Sequence, residues 1–385
     1  MTRIVYHYLS LVALAAFLFG CKTTRVARTT PERKKDSTII TKTIDSLDIK
    51  IGQMIMIGIN ERTSLAPGDP LTVELKAGKI GGVVLFEKNI SKTNSKDSLK
   101  LLVQDLQRDL SIPLFVSIDE EGGKVHRLKE KYGFITTPSA AYLGEVNKFD
   151  STRYHGRRIA ELLKELGINV NYAPALDMAV NPGNTVIVKN GRSFGSDPFL
   201  VATHAQISIN AHHENGVKTI LKHFPGHGSS TADSHLGIVD VSNTWQLNEL
   251  IPYDEIIRHG SYDAVMTAHI INKRWDPSML PATLSEKTIT GLLRNLLGYN
   301  GVVFSDDMQM DAISDHYGLE NAIALSVNAG VDILMFANTT PNKEKIVTAT
   351  QVHAILKKLV KKKKISRERI NEAYGRIMAL KNKTV

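Results

Sequence analysis

Eight short apolar runs, separated by stretches with helical spacing, constrain this chain more than any other feature. They are Met54–Gly58, Gly82–Phe86, Pro113–Asp119, Val170–Asp177, Thr219–Phe224, Ala264–His269, Gly301–Asp306 and Asp332–Phe336, and each reads as a strand. The stretches 97–110, 154–166, 199–214, 284–297 and 318–329 read as helices. In the first of these, Leu99, Leu102, Val103, Leu106 and Leu110 fall on one face. Gly167, Gly216, Gly298 and Gly330 follow such stretches directly, where a helix C-terminus favours glycine. Eight strand-then-helix units over about 340 residues predict a (β/α)8 TIM-type barrel of the α/β class. It forms a single catalytic domain over 45–385. An open doubly wound sheet is the competing architecture. The count of eight, and the lack of a Gly-rich fingerprint after the first strand, favour the barrel.

The first 44 residues read differently. Arg3 gives a positive start, Leu9 to Phe19 is an almost unbroken apolar run, and Leu18-Phe19-Gly20 precedes Cys21, the chain's only cysteine. The run is too short for a membrane-spanning helix and fits a signal peptide over 1–20. Lipid attachment at Cys21 is the expectation, which would tether the protein to a bacterial membrane without spanning it. Residues 21–44 are rich in Lys, Arg and Thr and read as a flexible basic tether.

Charge distribution bears on partners. The first 44 residues hold eight Lys/Arg against two acids, a net +6 of the chain's +9. The remainder is close to balanced, so no nucleic-acid-binding surface is implied. A single cysteine also excludes an intramolecular disulfide.

In a barrel the chemistry lies at the C-terminal ends of the strands. The third strand ends in Asp119-Glu120-Glu121-Gly122-Gly123, with Arg127 shortly beyond. The fourth leads to a loop with Asn190-Gly191-Arg192-Ser193. The fifth supplies Lys222 and His223 and runs into Phe224-Pro225-Gly226-His227-Gly228-Ser229-Ser230-Thr231-Ala232-Asp233-Ser234-His235. The sixth offers His269, and the seventh ends in Asp306-Asp307. Acids, bases and cations converging on one face suit a hydroxyl-rich substrate. Pro225, Gly226 and Gly228 keep the histidine-rich stretch on a loop. In an extended loop Asp233 and His235 point the same way, so the carboxylate can orient the imidazole as a proton donor and acceptor. Asp306, where a strand stops, can project into a pocket as a nucleophile. That pairing matches retaining glycoside hydrolysis.

Two other chemistries compete for this loop. His223, His227, Asp233 and His235 are possible Zn²⁺ ligands, but the spacing matches no metal motif, so no metal is expected. A serine nucleophile would want a Gly-x-Ser-x-Gly elbow, which is absent.

The segments Lys222 to His235, Ser117 to Leu128 and Gly301 to Met308 together resemble glycoside hydrolase family 3, in particular its single-domain β-N-acetylhexosaminidase branch. The resemblance spans about residues 48–338. It implies Asp306 as nucleophile, His235 as acid/base and Asp233 as its carboxylate partner. It implies Asp119, Arg127, Lys222 and His223 as contacts to sugar hydroxyls, with Arg192 reaching the sugar from the loop after the fourth strand. His227 matches the motif without an assigned role. Glu120 stands where many relatives carry Gln or His, and Ser229-Ser230 replaces a frequent Asp-Thr. The chain is expected to lack the second α/β domain of the family's β-glucosidases, which take their acid/base from elsewhere, whereas the His loop here supplies its own; this favours N-acetylglucosamine over glucose.

The resulting expectation is a lipid-anchored, monomeric, cofactor-free exo-β-N-acetylglucosaminidase of the bacterial cell envelope. Its partner would be a β-linked GlcNAc oligosaccharide from peptidoglycan or chitin. A β-glucosidase, a phosphate-dependent β-N-acetylglucosaminide phosphorylase and a catalytically silent glycan-binding lipoprotein stay open as alternatives.

Overall fold

The computed structural model describes residues 46–233, 237–339 and 345–385. The expected signal peptide, Cys21 and the expected basic tether fall outside them. No helix among the described residues is long and apolar enough to cross a membrane.

All eight expected strands form. In chain order the barrel strands are β1 (Ile55–Gly58), β2 (Gly82–Leu85), β3 (Phe115–Ile118), β4 (Val170–Asn171), β5 (Lys218–Phe224), β7 (Ala264–Thr267), β9 (Val302–Asp307) and β10 (Ile333–Phe336). Every neighbour pairs in parallel, and β10 pairs with β1 to close the ring. The two remaining strands, β6 (Val239–Asp240) and β8 (Ile270–Ile271), make a small separate parallel pair. The predicted helices appear as α3 (Ser95–Gln107), α5 (Phe149–Leu166), α6 (Pro198–His213), a wide helix over Lys287–Leu296, and α9 (Leu319–Ala329). Gly167, Gly216, Gly298 and Gly330 all take positive φ. Ser366 caps α11 (Arg367–Asn382) by accepting from Arg369 N. β4 is the one strand much shorter than the apolar run suggested. Pro174 has no amide to give a ladder, and beyond Asn171 only Ala175 bridges to Lys222 of β5.

The barrel is filled and its lower end is sealed. Phe115, Tyr172 and Phe304 meet inside it, with ring centroids 6.2 and 6.3 Å apart. At the strands' N-terminal ends the Lys381 ammonium donates to Gln53 Oε1, the Gly81 carbonyl and the Pro113 carbonyl at 2.7, 2.8 and 2.6 Å. Asp332, at the foot of β10, accepts from Arg294 and Arg369 at 2.8 and 2.6 Å and pins α11 beneath the ring. Such anchors belong to stability. The opposite end is left open for a ligand.

Candidate active site

A pocket of about 280 Å³ opens at the C-terminal ends of the strands. It gathers Asp119, Arg127, Arg192, Lys222, His223 and Asp306, with Asp233 at its edge and Tyr172, Met266 and Met335 as its apolar floor. Side-chain alternation past β3 sends Asp119 and Glu121 one way and buries Glu120 on the other. β5 departs from alternation. Leu221 pairs with Val265 but Phe224 pairs with Thr267, so β5 carries one extra residue there. That bulge lets two adjacent side chains, Lys222 and His223, both line the pocket.

The charged groups form one buried network. Lys222, 1 % exposed, donates to Asp119 Oδ1 at 2.7 Å and lies 2.6 Å from Glu121 Oε1. Arg192 grips Glu121 with two bonds, Nε to Oε2 at 2.9 Å and Nη2 to Oε1 at 2.7 Å. Arg127 Nη2 donates to the other oxygen of Asp119 at 2.9 Å. Burial alone would raise both carboxyl pKa values. For Asp119 the charges of Lys222 and Arg127 outweigh it and hold the group far below the usual carboxylate range. For Glu121, Arg192 and Lys222 do the same and bring it to about 2. Both acids are therefore ionised at neutral pH, and Asp119, which lines the pocket, can accept a hydrogen bond from a ligand hydroxyl. Arg127 Nε is buried with no hydrogen-bond partner in the protein, and its guanidinium lies 5.8 Å from the centre of the Phe86 ring.

Asp177, fully buried, organises the histidines. Its carboxylate accepts from His223 Nδ1 at 2.6 Å, from the His223 amide at 3.2 Å and from the His227 amide at 2.7 Å. The carboxylate fixes the His223 proton on Nδ1. That leaves Nε2 to accept from Arg192 Nη2 at 3.2 Å. Burial, opposed and outweighed by His223, leaves Asp177 at about 2. His227, buried beside His223, is pushed down to about 4 by its burial. It is neutral at pH 7, which suits a brace better than a cation.

The loop after β5 explains its own glycines. A Cβ on Gly228 would sit 1.8 Å from the Met178 carbonyl oxygen, and one on Gly226 (φ +117°) would meet Glu249 at 2.9 Å. Neither place has room for a side chain. Glu249 accepts from the Ser229 amide at 3.2 Å, and Trp245 Nε1 donates to the Pro225 carbonyl at 3.2 Å. Burial pushes Glu249 up to about 7.

The two members of the Asp306-Asp307 pair do different work. Asp307 Oδ1 accepts from the Gln309 and Ala337 amides at 3.1 and 3.0 Å and so ties down the loops after β9 and β10. Asp306 Oδ1 accepts from the neighbouring Asp307 amide at 2.8 Å, and its side chain lines the pocket. His269 is buried below the rim, with Nε2 donating to the Asp307 carbonyl at 2.9 Å and Nδ1 at 2.8 Å from Thr283 Oγ1. It supports the strand end rather than the pocket wall. His235 lies in 234–236, outside the described residues; its expected partner Asp233 is at the pocket edge. Both ring nitrogens of His223 are engaged, one of them by a cation, so it is not presented as a metal ligand. Sequence reasoning did not select Glu121 or Asp177 for the site. Glu121 was within reach of the alternation that separates it from Glu120. Asp177 ends the fourth apolar run, the position already treated as chemical in the other strands.

Comparisons with known proteins bear on the family. The model of the glycosyl hydrolase family 3 N-terminal domain matches residues 46–380. Beta-hexosaminidase A of Pseudoalteromonas piscicida is 34 % identical over 322 residues, covering 79 % of this chain and 53 % of that protein. The chain thus spans about half the length of that relative. The beta-hexosaminidase of Tolumonas auensis is 32 % identical over 280 residues, covering 72 % of this chain and 81 % of its own length. Among solved structures, a glycoside hydrolase family 3 beta-N-acetylglucosaminidase from Paenibacillus sp. str. FPU-7 superposes with a TM-score of 0.78 at 35 % identity. The match covers 87 % of this chain and 62 % of that one.

Proposed function

The chain belongs to glycosyl hydrolase family 3, and on that premise we propose that it is a retaining exo-β-N-acetylglucosaminidase. It would release non-reducing-end GlcNAc from peptidoglycan fragments or chitooligosaccharides. One observation carries the reading: the Asp306 carboxylate lines a pocket together with Asp119, Lys222 and Arg192, and Glu121 ties Lys222 to Arg192 behind it. Asp306 attacks the anomeric carbon while the bond to the leaving oxygen breaks. His235, oriented by Asp233, gives that oxygen its proton. The ester to Asp306 is then cleaved by water, whose proton returns to His235. Asp119, Arg127, Lys222, His223 and Arg192 hold the sugar in register for the attack.

Charge balance favours water over phosphate as the acceptor. The pocket's three cations, Arg127, Arg192 and Lys222, are matched by Asp119, Glu121, Asp177 and Asp306. The first three of these acids stay ionised at neutral pH. A site already neutralised in this way offers little to a phosphate dianion. The deciding assay is nitrophenol release from aryl β-GlcNAc and aryl β-glucoside, with and without phosphate. Preference for the acetylated sugar with no phosphate effect is expected. Phosphate dependence would replace hydrolysis with phosphorolysis, and a preference for the glucoside would replace the substrate.

His235→Ala separates the acid step from the rest. Its kcat/KM should fall by about 10²- to 10⁴-fold on a poor alkyl leaving group and much less on a nitrophenolate, which needs no proton. Equal losses on both would remove His235 as the acid.

We further propose that Cys21 carries lipid and holds the enzyme at the cell envelope. The supporting feature is the apolar run Leu9 to Phe19 with Gly20 before the cysteine. Labelling with a fatty-acid analogue should mark the wild-type chain and not Cys21→Ser. Equal labelling of the two would sink this idea.

A further inference from the structure

We infer that Glu120 is a positioning residue for sugar binding: its carboxylate fixes the main chain of Arg127 and thereby aims the Arg127 guanidinium into the pocket. This rests on the reading of the pocket as a GlcNAc site. Glu120 lies on the far side of the strand end from Asp119 and Glu121 and is 2 % exposed. Its Oε2 accepts from the Arg127 amide at 2.9 Å and from the Leu128 amide at 3.1 Å. Its own main chain is held on both sides by Asn171, the amide donating to Oδ1 at 3.0 Å and the carbonyl accepting from Nδ2 at 3.0 Å. Asn171 is tied in turn to His212 Nε2 at 3.0 Å, and His212 Nδ1 donates to the Ser208 carbonyl at 2.8 Å. The carboxylate that holds Arg127 is thus anchored to β4 and α6.

Arg127 needs that hold. Its guanidinium makes one hydrogen bond, to Asp119, and its Nε is buried without a partner in the protein. Arg127 lines the pocket, and its guanidinium has donors beyond the one given to Asp119 with which to meet a sugar oxygen. A small swing of the 127–128 main chain would withdraw it.

Glu120 also titrates in a useful range. Burial pushes it up to about 7, and the two amides only partly offset this. The charged or titratable groups around it are Asp119, Glu121, Arg127, Arg192, His155 and His212. Asp119 and Glu121 remain ionised, and burial lowers both His155 and His212, the latter to about 4. Above neutral pH Glu120 binds the two amides as a carboxylate. Below it, a neutral acid still accepts them, but without the charge that strengthens such bonds.

The test is KM, kcat and inhibition by free GlcNAc for wild type, Glu120→Gln and Glu120→Ala, from about pH 5.5 to about pH 8.5. Gln keeps the shape and one carbonyl oxygen but cannot ionise. At the alkaline end its KM and its inhibition constant should exceed wild type by about three- to tenfold, and the two proteins should converge at the acid end. Ala should raise both constants more than about tenfold at every pH, with kcat within about twofold of wild type. Identical constants for Gln and wild type at the alkaline end would overturn the inference. So would a fall in kcat with KM unchanged for Ala. If Ala does not fold, the Gln series decides alone. Wild type that neither cleaves the aryl GlcNAc nor binds GlcNAc would remove the sugar-site reading itself, an outcome distinct from an active wild type with an indifferent Gln variant.

Discussion

Asp306→Ala is expected to lower kcat on aryl β-GlcNAc by on the order of 10⁴-fold or more, with the fold intact. The size follows from what is removed. Without the carboxylate no covalent intermediate can form on this side chain, and the adjacent Asp307, which also ends β9 at the pocket, has its Oδ1 committed to the Gln309 and Ala337 amides. Stability should change little, because Asp306 is partly exposed at the pocket rather than buried in the core. The adjacent Asp307 instead braces two loops through the Gln309 and Ala337 amides. A nucleophile can be told from any other essential acid by the stereochemistry of rescue. With the carboxylate gone, azide can enter from the vacated face and attack the anomeric carbon of an activated β-aryl substrate. The product is then the α-glycosyl azide. A β-azide would mean that Asp306 serves the leaving-group side. A variant keeping more than about a tenth of wild-type kcat would place the nucleophile elsewhere.

How much of this was legible before any coordinates depends on where the information sits. The eight strands were readable because burial of apolar runs is a local property of the chain. The end of β4 was not, since the ladder stops after Asn171 only because Pro174 meets β5 with no amide to offer. Asp119, Arg127, Lys222 and Asp306 were readable as polar groups where apolar runs stop, and the structure brings all four to one pocket. The placement of both Lys222 and His223 on that pocket was beyond the pattern. It depends on an extra residue in β5 relative to β7, and strict alternation would have sent one of them into the wall. Glu120 shows the reverse. The sequence marked it only as a departure from relatives at a position outside bond cleavage. Its burial against the Arg127 and Leu128 amides, a tertiary fact, is what connects it to the site.

Asp177→Asn should be the most damaging substitution outside the residues that touch the sugar. The change is nearly isosteric, yet either orientation of the new amide leaves two donors facing each other. With the amide oxygen toward His223 Nδ1, the NH2 group faces the His227 amide that Asp177 Oδ1 now receives at 2.7 Å. With the oxygen toward His227, the NH2 group faces His223 Nδ1 and drives the imidazole proton to Nε2. That proton then opposes the Arg192 Nη2 donor at 3.2 Å. A buried donor left unpaired costs about 1–3 kcal/mol, and the charge that orients His223 is lost as well. The expected result is a loss of about 10²- to 10³-fold in kcat/KM together with a lower unfolding temperature. The pH dependence supplies the specific signature. Asp177 sits at about 2 in the folded protein, below its unfolded value of about 3.9. Its contribution to stability is present above about pH 4 and is lost as pH falls toward 2. Unfolding temperatures of wild type and Asn variant should therefore differ most near neutrality and approach each other in acid. A constant difference across that range would show that the carboxylate's charge is not what holds the histidines, and activity within threefold of wild type would show that their tautomer does not matter to the reaction.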